Sequence, residues 1–258
     1  MPSSSPTTLI TGASAGLGAE FAAQLAARGH DLVLVARREE RLRELADRLA
    51  ADHGVLVETI AADLASDGAA RRLHAETASR GIHVTGLVNN AGFGLKGALA
   101  DEDPARLDAM IHLNVATLTA LTRAYLPDIL AAGGILVNVA STAAYQPCPS
   151  MAAYGATKAY VLSFTEAIAH EARGSGARIL AISPGATRTE FFDEVGTEAM
   201  AFGRFQSSRQ VVARTLRALD ARSRPTSVVS GRLNALTAAI AQRVPRRLAL
   251  AASGRALR

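Results

Sequence analysis

This chain of 258 residues has few of the residues that form disulfides and metal sites. It also lacks long apolar runs. Its single cysteine, Cys148, excludes an internal disulfide and any metal site made of several thiolates. The six histidines include no pair four residues apart, which disfavours a zinc site on one helix face. No apolar run reaches the ~20 residues that a membrane-spanning helix requires. We therefore expect no bound metal and a reducing compartment.

A secretion signal is also missing from the opening residues. Met1 to Pro6 are short and polar, without the basic and apolar regions that such a signal contains. Hydrophobic residues make up 49% of the chain and charged residues 20%, which is enough apolar material for one large core. We predict a single domain over residues 1–258, located in the cytoplasm.

Acidic residues are absent from the C-terminal part of the chain. From Ala221 to Arg258 there are eight arginines and no Asp or Glu, whereas the preceding 220 residues carry 20 basic and 23 acidic groups. The net charge of +5 therefore comes from this part alone. No nucleic-acid reader motif accompanies it, so we expect no nucleic-acid partner.

The basic C-terminal segment, residues 231–258, contains one apolar helical stripe. Four apolar residues recur at spacings of three and four, with Arg232 and Arg243 nearby: Leu233, Leu236, Ile240 and Val244. Pro245 is expected to end that helix. We interpret the stripe as packing on the body of the protein or in a subunit interface. The alternative is contact with a membrane surface.

Short apolar runs alternate with helical patterns along the chain and predict the fold. The expected strands are Thr7–Thr11, Asp31–Ala36, Val55–Ala61, Val84–Asn89, Ile135–Ala140, Arg178–Ser183 and the short Ser227–Val229. Nearly continuous apolar strands are typical of a parallel sheet that is covered on both faces. The alternation predicts an α/β fold, a doubly wound parallel sheet of Rossmann type with about seven strands and helices on both faces.

The first strand runs directly into a glycine-rich turn that an alanine-rich helix follows. Glycines there let the backbone approach a phosphate, and the helix N-terminus offers unpaired N–H groups. The spacing G-x-x-x-G-x-G differs from the commoner G-x-G-x-x-G, and the alternative is a tight turn that only packs helix on strand. The predicted dinucleotide contacts are Gly12, Ser14, Ala15, Gly16, Leu17 and Gly18.

The end of the second strand predicts which dinucleotide binds. An acid about 20 residues past the glycines would bind the ribose 2′-hydroxyl of NAD. Here Arg37 closes the strand and Arg38 follows, so a guanidinium is available for a 2′-phosphate, with Ser14 close by. We expect NADP(H) to be preferred, with NAD(H) possible. The alternative is that both arginines begin the solvated face of the next helix.

Three further loops follow the third, fourth and sixth strands, at the edge of an open α/β sheet where ligands bind. Asp63 could accept a hydrogen bond from the adenine amino group. The predicted cofactor contacts in these loops are Asp63, Leu64, Asn90, Ala91, Gly92, Pro184, Gly185, Thr187 and Thr189. Each loop alone is weak evidence, because any turn uses Asn, Gly and Pro.

The catalytic signal is Tyr154, with Lys158 four residues later and Ser141 upstream at the end of the fifth strand. Positions i and i+4 share a helix face, so the phenol and the ammonium are expected to lie together. A cation about 4 Å away could lower the pKa of a tyrosine by about 3 units at an effective dielectric near 20. The alternative is a chance Tyr–Lys spacing, which the glycine turn and Ser141 make improbable.

In these motifs the chain resembles the short-chain dehydrogenase/reductase family, in its single-domain branch. The resemblance covers roughly residues 7–190 and adds Asn114, in the helix after the fourth strand, to the active site. It implies that Tyr154 is the general acid or base and that Lys158 holds the nicotinamide ribose. It also implies that Ser141 bonds the substrate oxygen and that Asn114 holds a water for proton relay. Many members carry Val or Ile in place of Thr187.

The resemblance also makes residues 187–208 a lid over the substrate. Six large apolar residues fall there and suggest an apolar substrate, although they could instead anchor the segment to the body: Phe191, Phe192, Val195, Met200, Phe202 and Phe205. Cys148 is expected to border the pocket without acting as a nucleophile. A homodimer or homotetramer is implied as well.

The expected function is therefore hydride transfer between NADP(H) and a small carbonyl or alcohol substrate. Two alternatives come from other classes of protein. One is a membrane-surface ketoreductase for lipids or acyl chains, docked through the basic segment. The other is a non-catalytic dinucleotide-binding regulator, which would have no need of the Tyr154 phenol.

Overall fold

The computed structural model describes residues 5–190 and 205–256. Seven parallel strands form one sheet in the order β3-β2-β1-β4-β5-β6-β7. Their bounds are β1 Thr7–Thr11, β2 Asp31–Ala36, β3 Val57–Ala61, β4 Gly86–Asn89, β5 Ile135–Val139, β6 Arg178–Ser183 and β7 Ser227–Val229. The predicted doubly wound parallel sheet is confirmed.

Three predicted strands are shorter in the structure than expected, by one or two residues at an end. The backbone N–H of Leu56 donates to the Asp31 side chain at 2.9 Å, so β3 begins at Val57. β4 begins at Gly86 and β5 ends at Val139. The pattern of apolar residues does not fix where a strand ends, because a residue can be buried although it lies beyond the last hydrogen bond between the strands.

Helices cover both faces of the sheet. Their bounds are α1 Gly16–Ala26, α2 Glu39–His53, α3 Ala69–Ser79, α4 Pro104–Ile111, α5 Leu118–Ala132, α6 Ala152–Glu171, α7 Ser208–Asp220, α8 Arg232–Ala241 and α9 Arg246–Ala256. A π-helical segment, His112–Thr117, joins α4 to α5. Short 3-10 helices occupy Leu99–Asp101 and Thr142–Tyr145.

Neighbouring residues of one strand reach the two opposite cores. Ile10 packs in the cluster that includes Phe21 of α1 and Leu216 of α7. Leu9 packs in the cluster that includes Leu121 of α5 and Ile168 of α6. Side chains alternate between the faces of a strand, so a continuously apolar strand requires a helix layer on each side.

The carboxyl ends of the strands lie at one edge of the sheet, and this edge positions the site. β1 pairs with β2 on one side and with β4 on the other. The chain therefore reverses its winding direction between β1 and β4. Loops diverge at such a switch point and leave a crevice for a ligand.

Three of the four residues of the C-terminal stripe do not pack on the body, whereas Val244 is half-buried. Leu233, Leu236 and Ile240 are 59%, 58% and 51% exposed, whereas Ala238 of the same helix is buried. The expectation that these side chains pack on the body of this chain is therefore wrong. The helix break is confirmed, because α9 begins directly after Pro245. Among the described residues, no helix is long and apolar enough to cross a membrane.

Candidate active site

The glycine turn between β1 and α1 brings backbone close to backbone. Gly12 and Gly16 have φ values of +65° and +56°, the left-handed region that favours glycine. A Cβ on Gly18 would lie 2.2 Å from the Gly12 carbonyl oxygen. Ala15 precedes α1 and supplies no side-chain cap, so no N-cap side chain satisfies the N–H groups of the first turn. Such a helix N-terminus suits a phosphate.

Asn90 ties the loop after β4 to this turn. Its backbone N–H donates to the Thr11 hydroxyl at 2.9 Å, and its side-chain amide donates to the Thr11 carbonyl at 2.9 Å. The backbone N–H of Ala91 also donates to the Thr11 hydroxyl, at 3.0 Å. These bonds hold Asn90, Ala91 and Gly92 against the glycine turn. Beside them, the buried Asn89 amide donates to Asn138 at 2.9 Å and fixes β4 to β5.

Tyr154 and Lys158 lie one helical turn apart on α6 and are both buried. The Lys158 Nζ atom lies 5.8 Å from the centre of the Tyr154 ring. It donates a hydrogen bond of 2.8 Å to the carbonyl oxygen of Val139, the last residue of β5. Ser141 follows β5 and its hydroxyl accepts from the Ala143 N–H at 3.1 Å. The end of β5 thus brings the hydroxyl, the phenol and the ammonium together.

Burial changes the pKa values of Tyr154 and Lys158 in opposite directions. Loss of water raises the pKa of Tyr154 to about 12, while a hydrogen bond with Ser141 opposes that rise. The same cause lowers the pKa of Lys158 to about 8. The expected lowering of the tyrosine pKa by Lys158 is wrong for this structure, because loss of water is the largest effect on this pKa and it raises it. At neutral pH the phenol therefore keeps its proton.

Asn114 lies in the π-helical segment between α4 and α5. Its amide nitrogen donates to the Phe93 carbonyl at 3.0 Å, and its oxygen accepts from the Phe93 N–H at 3.3 Å. The amide also donates to Thr157 on α6 at 3.2 Å. A Cβ on Gly92 would lie 2.7 Å from the Asn114 oxygen and 3.6 Å from Lys158 Nζ. The π-helical widening thus brings Asn114 close to the Tyr154–Lys158 pair.

At its far end the cleft is lined by Arg37, Arg38 and one acid, Glu190. Arg38, and not Arg37, donates to the Ser14 hydroxyl, at 3.0 and 3.2 Å. Glu190 forms ion pairs with Arg38 at 2.8 Å and with Arg41 at 2.7 Å. Hydrogen bonds from both arginines hold the pKa of Glu190 below its usual range.

The loops after β3 and β6 complete the walls. The Asp63 carboxylate accepts from the Ala65 N–H at 3.0 Å, and the Leu64 carbonyl accepts from Thr117 at 2.8 Å. The loop after β6 contacts α8, since a Cβ on Gly185 would lie 2.2 Å from the Asn234 amide nitrogen.

Only the two ends of the predicted lid belong to the described chain. Thr187 forms a β-bridge with Gln206, so these two ends lie side by side. Five of the six apolar residues assigned to the lid, Phe191 to Phe202, lie outside the described residues, and the lid stays a prediction.

A single cleft of about 1110 Å³ connects these features. Of the predicted site residues, Gly18 and Asn114 lie behind its wall. The others line it: Gly12, Ser14, Ala15, Gly16, Leu17, Arg37, Asp63, Leu64, Asn90, Ala91, Gly92, Ser141, Tyr154, Lys158, Pro184, Gly185, Thr187 and Thr189. Within residues 5–190 and 205–256, no group of three His, Cys, Asp or Glu side chains could hold a metal ion.

Several lining residues were missed by the motifs. They come from α4, from the loop between β5 and α6, and from the two C-terminal helices: Arg106, Gln146, Met151, Asn234, Thr237 and Ser253. No spacing in the sequence indicates them, because they approach the cleft only when distant helices pack at the sheet edge. Cys148 borders the cleft as expected, and burial raises the pKa of its thiol to about 11.

Comparisons with known proteins agree with this geometry. A family model described as short chain dehydrogenase matches residues 6–199. Sulfoacetaldehyde reductase 2 from Chromohalobacter salexigens is 38% identical over 190 residues, which are 72% of this chain and 75% of that protein.

Solved structures share the fold over nearly the whole chain. A short-chain dehydrogenase from Sphingobium yanoikuyae, in complex with NADPH, has a TM-score of 0.78 and 33% identity, over 93% of this chain and 97% of that one. A 7beta-hydroxysteroid dehydrogenase structure has a TM-score of 0.86 and 27% identity, over 96% of each chain. The glycine turn, the Tyr154–Lys158 pair and these matches agree, and the chain belongs to the short-chain dehydrogenase family.

Proposed function

We propose that this chain is an NADP(H)-dependent oxidoreductase that interconverts an aldehyde or ketone and the corresponding alcohol. One observation carries the proposal: the side chains of Ser141, Tyr154 and Lys158 line the same cleft as the glycine turn. A regulator that only bound a dinucleotide would need the turn without the phenol. The relatives named above are a reductase of an aldehyde and a dehydrogenase of a hydroxysteroid, which supports this reaction class.

The residues of the cleft fit NADP(H). The glycine turn and the uncapped N-terminus of α1 suit the diphosphate. Arg38, Arg37 and Ser14 suit a 2′-phosphate, and the Asp63 carboxylate suits the adenine amino group. Lys158 would hold the nicotinamide ribose, with the loop from Pro184 to Thr189 beside the ring. When bound, the nicotinamide supplies or accepts the hydride.

The proton is transferred by this chain's own residues. In reduction, the Tyr154 hydroxyl donates its proton to the substrate oxygen, and its raised pKa keeps that proton in place at neutral pH. Ser141 donates a hydrogen bond to the same oxygen and stabilises the charge that develops on it. The Lys158 ammonium stabilises the phenolate that remains. In oxidation the ionised form of Tyr154 accepts the proton of the alcohol, and its raised pKa disfavours that form at neutral pH.

Asn114 acts on this pair through the loop that it holds. Its two hydrogen bonds to Phe93 fix the loop that includes Gly92, beside Lys158. An added Cβ on Gly92 would meet both the Asn114 oxygen and Lys158 Nζ, so both atoms border the space that this glycine leaves open, which supports the proposed water relay between them. The Asn114 amide also donates to Thr157, the residue before Lys158 on α6, so Asn114 is a positioning residue.

The substrate end of the cleft is largely apolar. It includes Phe93, Leu113, Ala143, Cys148 and Met151. This lining supports an apolar aldehyde, ketone or alcohol as substrate.

A homodimer or homotetramer is part of the proposal. Ile111 and Tyr160 are apolar or aromatic side chains that are 41% and 38% exposed. Tyr160 of α6 stacks on Phe164 at 5.4 Å and hydrogen-bonds Thr119 of α5 at 2.8 Å, so its ring is held at the surface. An ordered aromatic surface of this kind supports a subunit interface.

The test measures activity on a panel of aldehydes, ketones and alcohols. The readout is the change in absorbance of the reduced cofactor. Tyr154→Phe should lower turnover ~10²–10⁴-fold, since that is the usual contribution of a general acid or base. NADPH affinity should stay nearly unchanged, because the ring still packs. A variant that keeps more than about a tenth of the wild-type turnover contradicts the assignment of Tyr154.

A further inference from the structure

Exposed large apolar side chains are concentrated in the last two helices. Of the nine such side chains in the described chain, five lie in α8 and α9. They are between 48% and 59% exposed: Leu233, Leu236, Ile240, Leu248 and Leu250. Monomeric proteins seldom group apolar side chains on the surface without a use for them. On α9, Leu248 and Leu250 are two residues apart and face different sides of the helix, so the continuous exposed face is the one on α8. Such a face indicates a surface that another body covers.

The outward direction of the α8 leucines follows from how the helix is held. Leu233, Leu236 and Ile240 occupy positions i, i+3 and i+7, which is one face. On another face Ala238 is buried, and the Asn234 amide donates to the Ser230 carbonyl at 2.8 Å. The helix is thus fixed to the body by its other side, and the leucine face points to the solvent.

Arginines surround this apolar face. Arg232 begins α8, Arg243 lies two residues past its end, and Arg246 and Arg247 begin α9, all of them exposed. None of the four takes part in the ion pairs found within the described residues. No acid occurs after Asp220. The surface therefore combines apolar side chains with positive charge that no carboxylate neutralises.

We propose that α8 and α9 form a docking surface for an anionic lipid bilayer. Leu233, Leu236 and Ile240 enter the interfacial layer, and the arginines bind the phosphates of the headgroups. A second copy related by a two-fold axis fits less well, because it would place the same arginines against one another. Nucleic acid would engage the arginines but leave the leucines in water.

The same two helices also line the cleft. Asn234 and Thr237 of α8, and Ala252 and Ser253 of α9, belong to its wall. Docking through the leucine face therefore brings the cleft close to the bilayer. A ketone or alcohol dissolved in the membrane is the substrate class that this arrangement favours. That last step rests on the proposed function, whereas docking itself does not.

Vesicle co-sedimentation tests the surface directly. Binding of the full chain is measured to phosphatidylcholine vesicles with and without phosphatidylglycerol. We expect binding only when the anionic lipid is present. The double variant Leu233→Ser with Leu236→Ser should bind at least about tenfold more weakly, from the burial energy of a leucine side chain. In the double variant Arg243→Gln with Arg246→Gln, the affinity for anionic vesicles should fall about 25-fold, because each arginine contributes about fivefold.

Matched controls lie on the opposite edge of the sheet and on α2. Leu56 is 68% exposed and Arg48 is exposed, and neither belongs to the C-terminal helices. Leu56→Ser and Arg48→Gln should bind vesicles as the wild type does. Tyr154→Phe should also bind normally, so a failure of the proposed catalysis would not be mistaken for a failure of docking.

Three results would overturn the proposal. The first is equal binding by the C-terminal variants and their controls. The second is binding that does not depend on the anionic lipid. The third is a wild-type dimer, measured by light scattering, that the leucine double variant converts to monomers, because a second copy would then cover this face.

Discussion

At the scale of single residues, the proposed chemistry depends on two buried groups, Tyr154 and Lys158, whose pKa values burial moves in opposite directions. Removal of water disfavours the charged form of each group, so the phenol of Tyr154 holds its proton more tightly and the ammonium of Lys158 less tightly. A raised pKa keeps the proton on the phenol at neutral pH, but it also makes the phenol a weaker acid. The same loss of water acts in opposite directions on the two pKa values because one group is an anion when charged and the other is a cation.

Carbonyl reduction should slow as the pH rises through about 8, the pKa of Lys158. This pKa lies below the usual lysine value of 10.5, so the ammonium is present below that pH and is lost above it. Without its charge, the phenolate left by proton donation is less stable. The measurement is kcat for reduction against pH, with circular dichroism to show that the chain stays folded. A reduction rate that is flat on both sides of that value contradicts this prediction.

Selectivity between the two nicotinamide cofactors should depend on Arg38 more than on Arg37. Only the Arg38 guanidinium hydrogen-bonds Ser14 of the glycine turn. A charge-assisted hydrogen bond contributes about 1.5–3 kcal/mol, so Arg38→Gln should weaken NADPH binding roughly 10–150-fold and leave NADH nearly unchanged. Dissociation constants of both cofactors are measured at one ionic strength, with Arg37→Gln as the matched control. If Arg37→Gln weakened NADPH binding more than Arg38→Gln did, Arg37 would be the residue that binds the 2′-phosphate, as the sequence predicted.

Glu190 should oppose binding of a 2′-phosphate. Its carboxylate pairs with Arg38 and Arg41, so a phosphate must displace it or share the two arginines. Exposed ion pairs contribute about 0.2–1 kcal/mol each, so the loss of both pairs in Glu190→Gln should strengthen NADPH binding about twofold to thirtyfold. NADH affinity, measured in parallel, should change little. Weaker NADPH binding by the variant would show that Glu190 supports the site instead.

At the scale of elements, the turn between β1 and α1 depends on the close approach of Gly18 to Gly12. A methyl group at Gly18 would lie 2.2 Å from the Gly12 carbonyl oxygen. This oxygen belongs to the backbone, so it cannot move aside as the end of a flexible side chain could. Gly18→Ala should therefore push α1 away from the turn and abolish dinucleotide binding or lower the melting temperature.

The matched control for the turn is Gly254→Ala in α9. There the added methyl would meet only Pro149, at 3.7 Å, an ordinary contact. Nucleotide binding is measured by fluorescence and stability by thermal unfolding. Equal behaviour of the two alanine variants would contradict the steric account of the turn.

Element by element, the apolar pattern predicted the seven strands to within two residues. Strands buried on both faces are continuously apolar, and a local pattern records that directly. The π-helical segment His112–Thr117 was not predicted, because one widened turn leaves almost no trace in the periodicity of apolar residues. Asn114 was assigned through the family resemblance, and its position near Lys158 depends on that segment.

At the scale of the whole molecule, assembly is the next property to test. If α5 and α6 form the subunit interface, Tyr160→Asp should lower the mass measured by light scattering, because it places a charge in an apolar contact. Leu56→Asp, at a distant exposed site, should leave the mass unchanged. A wild-type monomer, or a Tyr160 variant of unchanged mass, contradicts this interface. The cytoplasmic location stays a prediction.

The sequence by itself determined the sheet, the glycine turn and the Tyr154–Lys158 pair. Each of these depends on residues that are close in the chain, where strand pattern, turn chemistry and the i, i+4 spacing on a helix act. Local spacing cannot report burial, so the pKa of Tyr154 was expected to fall and instead rises.

Only the tertiary structure decided which distant side chains share the cleft. The pairing of Glu190 with Arg38 and Arg41 spans about 150 residues of sequence. The approach of Asn234 to Gly185 and the outward face of Leu233 and Leu236 also depend on how α8 is seated. The physical reason is that amphipathic spacing specifies that a helix has an apolar face, whereas packing alone determines whether that face meets the core or the solvent.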